Sequence, residues 1–294
     1  MLSATSKKAP DDAWIVVESK LRALGGPDPV KKFGQAVRQA IDEVLDGPRT
    51  GRCRLTELAK TEKTYVGTKV EIVVRTSLGL DRGPILDLEI EGHPVDIKWA
   101  MNSVWQIPME AVGQLCLCIG GLDEVSRFQV GLIRCDEEWL NLGENRDRKR
   151  TISAVGRSKM SLLVPSSPLP INFVEQMDHA LRIAVMGEPT IQARVTRLFT
   201  LLPRTPIPRN AIATVARTTG DPLRRVRADT WAGNPLGDMK ILSAKYGNPI
   251  VVALGYRPLE RDEFMSVPQI EINALPHSKK QALPATTRRL FEFD

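Results

Sequence analysis

Histidine is nearly missing from this chain, with three residues in 294, and aromatic side chains make up only 5%. Four cysteines occur, Cys53, Cys116, Cys118 and Cys135, and no two are spaced as CxxC. With so few imidazoles to join them, a zinc site is not expected. Cys116 and Cys118, in the apolar run QLCLCIGG, read instead as small buried hydrophobes, which suits a reducing cytoplasm. No apolar run approaches the ~20 residues of a membrane span. The N-terminal MLSATSKKAPDDAW also lacks the apolar core of a signal peptide.

What remains is an ordinary soluble composition, 42% hydrophobic and 26% charged, on a chain long enough for two domains. The net charge is +6 and unevenly placed. Residues 171–294 hold 17 Lys and Arg against 12 Asp and Glu, which is +5 of the +6. A basic C-terminal module beside a nearly neutral N-terminal one points to a nucleic-acid partner for the former.

Along the chain, residues 11–46 read as two amphipathic helices broken by GGPDP, with Phe33, Val37, Ala40, Ile41 and Val44 on one face. KVEIVVRTSL is ambiguous: Val70, Ile72 and Val74 alternate as in a strand, while Val66, Val70, Val73, Val74 and Leu78 recur as on a helix. The runs PILDLEI, PVDIKWA, QLCLCIGG and FQVGLIRC read as strands of a mixed sheet flanked by helices, an α/β (α+β) architecture. The Pro- and Ser-rich VPSSPLPIN, residues 164–172, is the expected linker between domain 1–163 and domain 173–294. Beyond it, IQARVTRLFTLLP reads as a helix. NAIATVARTTGDPLRRVRADTW reads as helix, turn and helix, with Asp221 as cap. MKILSAKYGNPIVVALGY reads as two strands about a turn. That order is a winged helix, and the tail from about residue 275 reads as loose.

One hairpin carries chemistry. In DLEIEGHPVDIK, residues 87–98, a Glu91-Gly92 turn pairs Ile90 with His93, Glu89 with Pro94, Leu88 with Val95 and Asp87 with Asp96. Two carboxylates opposed this closely destabilise a sheet unless a cation lies between them. A divalent metal such as Mg²⁺, with the Ile97 carbonyl and waters as further ligands, answers that need. Lys98, one strand repeat beyond Asp96, can then orient or deprotonate water, or offset charge on a scissile phosphate. The alternative is an exposed Asp96–Lys98 pair worth ~0–1 kcal/mol, with Asp87 on plain surface.

LAKTEKTYVGTKVEI, LDLEIEGHPVDIKW, QLCLCIGG and GENRDRKRTIS, then IQARVTRLF, PRNAIATVAR and LRRVRAD, resemble in order and spacing the NaeI family of type IIE restriction endonucleases. The resemblance covers roughly residues 35–260. It implies an endonuclease domain with a PD-(D/E)xK core followed by a winged-helix domain. Asp87, Asp96 and Lys98 match the catalytic acids and lysine, although Leu86 stands where the motif has proline. Glu71 matches a helical glutamate that completes the site, which implies a helix at 66–78. The family also implies Mg²⁺-dependent cleavage of double-stranded DNA at a short palindromic site, leaving 5′-phosphate and 3′-hydroxyl ends. It further implies a homodimer that holds a second DNA site as effector in its C-terminal domains. Arg224, Arg225 and Arg227 are then candidates to read guanine edges, and Arg146, Arg148, Lys149 and Arg150 to hold phosphates. Two rivals stand beside this reading: a winged-helix DNA-binding regulator with an inert nuclease-like core, and a repair enzyme that nicks one strand at a lesion or mismatch.

Overall fold

A computed structural model of the chain describes residues 11–122, 126–224 and 236–292. Two compact units emerge. The first joins the chain up to Val44 with Arg54–Ile171, and the second joins Leu45–Cys53 with the chain from Asn172.

Helices α1 (Asp12–Gly25) and α2 (Pro29–Leu45) open the first unit. The Asp11 carboxylate caps α1, accepting from the Trp14 N–H at 2.9 Å. In α2, Phe33, Val37, Ala40, Ile41 and Val44 are buried, as their spacing predicts. The short α3 (Gly47–Thr50) lies in the second unit. Helix α4 (Lys60–Leu78) begins where the Glu62 carboxylate accepts from the Ala59 N–H, and stops at Gly79 in the left-handed region. Its buried stripe of Val66, Val70, Val73, Val74 and Leu78 overrides the strand propensity of VEIVV.

The remaining elements are β1 (Leu88–Ile90), β2 (His93–Ala100), β3 (Gln106–Ile107), β4 (Leu115–Leu122), β5 (Arg127–Arg134), β6 (Leu140–Glu144), β7 (Arg150–Ile152), α5 (Ala154–Lys159) and β8 (Ser161–Pro168). Five of the strands form a mixed sheet in the order β1-β2-β4-β5-β8. Only the β2–β4 pair in it is parallel. Strands β3, β7 and β6 form a second, smaller sheet.

The expected linker at 164–172 is corrected here. Residues 164–168 belong to β8, where Val164 and Ser167 are buried. Strand β8 is one of the sheet's two edges, where proline is tolerated.

The second unit continues with α6 (Phe173–Gln176), α7 (His179–Met186), α8 (Ile191–Leu201), β9 (Ile207–Pro208), α9 (Arg209–Ala216), β10 (Met239–Ser243), α10 (Ala244–Ala253), β11 (Glu263–Pro268), α11 (Gln269–Asn273), α12 (His277–Gln281) and α13 (Ala285–Leu290). Strands β10 and β9 flank β11, all antiparallel. Buried Arg194 of α8 ties down the end of α9, donating to the carbonyls of Val215 (2.8 Å) and Ala216 (2.9 Å).

Two expectations fail in this unit. KYGNPIVVA is helix α10 rather than a turn and strand, and β10 pairs instead with β11, far along the chain. Gly247 serves close packing, since a Cβ there would sit 2.6 Å from the Leu242 Cβ. The tail is not loose: it carries α12 and α13, and Leu275 and Leu283 join a buried cluster with Ile250 and Val267. The second helix expected after Pro222 falls mostly on residues 225–235, outside the described residues. Before them, the Asp221 carboxylate accepts from the Leu223 N–H at 3.2 Å. Among the described residues no helix is long and apolar enough to cross a membrane.

Candidate active site

The β1–β2 hairpin turns on Glu91 (φ 50°) and Gly92 (φ 79°), both left-handed, as the tight two-residue turn that matches strand twist requires. Its register is Leu88↔Val95, Glu89↔Pro94 and Ile90↔His93, as counted from the turn. The next expected pair does not form on the ladder. The Asp87 carbonyl accepts from the Gly83 N–H (3.3 Å) in its own loop. The Asp87 side chain crosses the gap instead, its Oδ2 accepting from the Ile97 N–H at 2.9 Å. Sequence reasoning expected only the carbonyl of Ile97 to matter. Its amide went unnoticed because a side-chain-to-backbone bond leaves no periodic signal.

Asp96 is 4% exposed, and its Oδ2 lies 2.7 Å from Lys98 Nζ. The Asp87 carboxyl is this buried group's other polar side-chain neighbour. Burial pushes the Asp96 carboxyl up to about 6, with Lys98 pulling the other way and the Asp87 carboxyl adding to the rise. Glu71, on α4, is pushed up to about 7, first by burial and then by the negative charge of Asp87, with Asp96 adding and Lys98 opposing. Burial works against the Lys98 ammonium, but the carboxylates of Asp96, Asp87 and Glu71 outweigh it and hold its pKa above the usual value.

Glu71, Asp87, Asp96 and Lys98 thus share one electrostatic neighbourhood, with Arg75 also acting on Glu71. Among the described residues no three His, Cys, Asp or Glu side chains close into a ready-made metal cage. An all-oxygen donor set that includes a buried carboxylate nevertheless suits a hard dication whose remaining ligands are backbone and water. In the parallel register Cys116 stands beside Asp96 and Cys118 beside Lys98, both fully buried. All four cysteines are free thiols.

The candidate DNA-contacting residues are scattered. Arg146 and Arg148 are exposed on the turn between β6 and β7, which the Asn145 carboxamide organises by accepting from the N–H groups of Asp147 and Lys149, both at 2.9 Å. Arg150 is otherwise engaged. Its guanidinium donates to the carbonyls of Asn141 (2.8 Å), Glu137 (3.2 Å) and Leu140 (3.3 Å), bracing its own sheet. Arg224 is exposed, while Arg225 and Arg227 lie outside the described residues.

The mixed sheet and its flanking helices give unit 1 a restriction-endonuclease-like α+β fold, the class of DNA-cleaving hydrolases built around such a sheet. A model of the restriction endonuclease NaeI family matches residues 18–286. The type II restriction enzyme NaeI of Lentzea aerocolonigenes is 34% identical over 231 residues, covering 76% of this chain and 72% of that enzyme. The chain belongs to the NaeI restriction endonuclease family and is a site-specific deoxyribonuclease.

Proposed function

We propose that this enzyme is a type IIE restriction endonuclease. It hydrolyses both strands of DNA at a short palindromic site in the presence of Mg²⁺, leaving 5′-phosphate and 3′-hydroxyl ends. The observation that carries the reading is the crowding of Asp87, Asp96 and Glu71 around Lys98, with two of the three carboxyls driven well above their usual pKa.

Asp87, Asp96 and the Ile97 carbonyl would hold Mg²⁺, with Glu71 completing the set. When bound, the ion supplies the positive charge that relieves this crowding and offsets charge developing on the scissile phosphate. Lys98, 2.7 Å from the Asp96 carboxylate, positions the attacking water and donates to phosphate oxygen. The Ile97 N–H fixes the Asp87 carboxylate so that the site does not reorganise when substrate arrives.

Arg146, Arg148 and Lys149 then hold backbone phosphates, while Arg224, Arg225 and Arg227 of the second unit contact a second duplex in a homodimer. The +5 charge of residues 171–294 supports that assignment. The test uses Asp96→Ala and Lys98→Ala on plasmid DNA. Cleavage in Mg²⁺ is expected to vanish in both, while specific binding measured in Ca²⁺ persists. Undiminished cutting by either variant sinks the site assignment. Nicked rather than linear wild-type product would turn the reading towards single-strand repair.

A further inference from the structure

The loop leading into Asp87 is held by a contact that no side chain makes. After α4 ends, residues 80–87 fold back on themselves. The Gly83 N–H donates to the Asp87 carbonyl, and Arg82 forms an isolated antiparallel bridge with Leu88. Gly83 is buried against main chain on both sides of Asp87. A Cβ at this position would lie 2.5 Å from the Leu88 carbonyl oxygen, 2.6 Å from the Leu88 carbonyl carbon and 2.7 Å from the Leu86 carbonyl oxygen. These are backbone atoms, which cannot swing aside as the end of a flexible side chain can. Any larger residue must therefore displace the peptide units that flank Asp87.

Glycine is usually placed in loops for its access to left-handed backbone, but Gly83 is absent from the positive-φ glycines. What this position requires is the absence of a side chain. The same contact holds the main chain of the residue whose carboxylate reaches the Ile97 N–H.

We propose that Gly83 is a positioning residue for cleavage, setting the Asp87 carboxylate against β2 by close backbone approach. This inference rests on the reading of Asp87 as part of the cleavage site. A misplacement of about 1 Å at a reacting group costs about 10²-fold in rate. Gly83→Ala is therefore expected to lower single-turnover cleavage by about 10²-fold and to raise the Mg²⁺ concentration needed for half-maximal rate. Specific DNA binding in Ca²⁺ should stay within about twofold, because a positioning defect alters reactivity more than grip.

Gly79→Ala is the matched control. Gly79 closes α4 at φ +66° with nothing within 4 Å of where a Cβ would stand, so alanine there strains the same loop without pressing on Asp87. It is expected to lower the melting temperature and leave the Mg²⁺ dependence per folded molecule unchanged. If Gly83→Ala behaves like Gly79→Ala, or cleaves like wild type, the inference is overturned. Asp87→Ala separates the two levels of argument. If Asp87→Ala still cuts, the site reading is wrong; if it is inactive while Gly83→Ala is normal, only the role of Gly83 is wrong. Should Gly83→Ala fail to fold, amide exchange on the wild-type protein decides. The Gly83 N–H is expected to be protected and to slow further with Ca²⁺ present. Exchange at the rate of an open loop overturns the proposal.

Discussion

The Asp87 carboxylate accepts a hydrogen bond from the Ile97 N–H, 2.9 Å away, although the two residues lie in neither the same strand nor a paired position. The bond fixes one acid beside a second, Asp96, whose own charge is held back by burial. The site therefore stores electrostatic stress when it is empty of cation, and that stress can be measured.

Asp96→Asn should stabilise the metal-free protein at pH 8. Its carboxyl and that of Glu71 have folded-state pKa values near 6 and 7, above their usual range. Raised acids favour the folded state while protonated, and that advantage fades as pH climbs through the folded values. The wild type should thus lose stability between about pH 4 and pH 7, and Asp96→Asn should recover about 1–3 kcal/mol of it at pH 8. Denaturant titrations with chelator at pH 4 and pH 8 check this, and an equal effect at both would contradict it.

Ribbon arginines should separate by role. Changing Arg146 and Arg148 together to alanine should reduce the slope of log affinity against log salt by about 2, with little change in melting temperature. Arg150→Ala should do the reverse, because its guanidinium braces three carbonyls between Glu137 and Asn141. Filter binding across salt concentrations, paired with thermal melts, reads both.

Arg194→Ala should loosen the second unit. It strands the carbonyls of Val215 and Ala216 without donors in a buried place, at a cost of about 2–4 kcal/mol. Lysine cannot restore the fork, so Arg194→Lys should rescue little. Hydrogen exchange of the α9 amides is the readout; protection equal to wild type would refute the bracing role.

Glu91→Asn should raise the melting temperature. Asparagine tolerates the left-handed backbone that Glu91 occupies at φ 50°, and Asn-Gly suits this turn better. The exposed Lys20–Glu91 pair that it removes contributes little. A melting temperature below wild type would mean that the ion pair outweighs the turn.

The hairpin was legible because turn chemistry and residue counting fix a register locally, and Leu88↔Val95 follows from Glu91-Gly92 alone. Helices α2 and α8 were legible from one buried face each. Helix α4 was not, since its central valines serve strand and helix alike. Only the resemblance to a known family decided it. The parallel pairing that sets Asp96 beside Cys116 left no mark, because partners brought together by a long connection have no local pattern. Proline misled twice for opposite reasons: Pro165 and Pro168 sit on an edge strand, and Pro249 inside α10. The acids of the site were visible as residue types, but the loop contact that aims Asp87 is made by a residue with no side chain to notice.

Because Leu45–Cys53 is claimed by the second unit while the chain on either side builds the first, the polypeptide passes between them three times. Cys53 lies in the same apolar cluster as Ile212 and Val215, and Gly47 presses on Thr214. A protease nick near residue 171 would thus leave two peptide links uncut. A gene fragment starting at Asn172 would encode a protein with an open wound over α9. Neither half is one uninterrupted stretch of sequence, so neither can be exchanged by a single cut and splice.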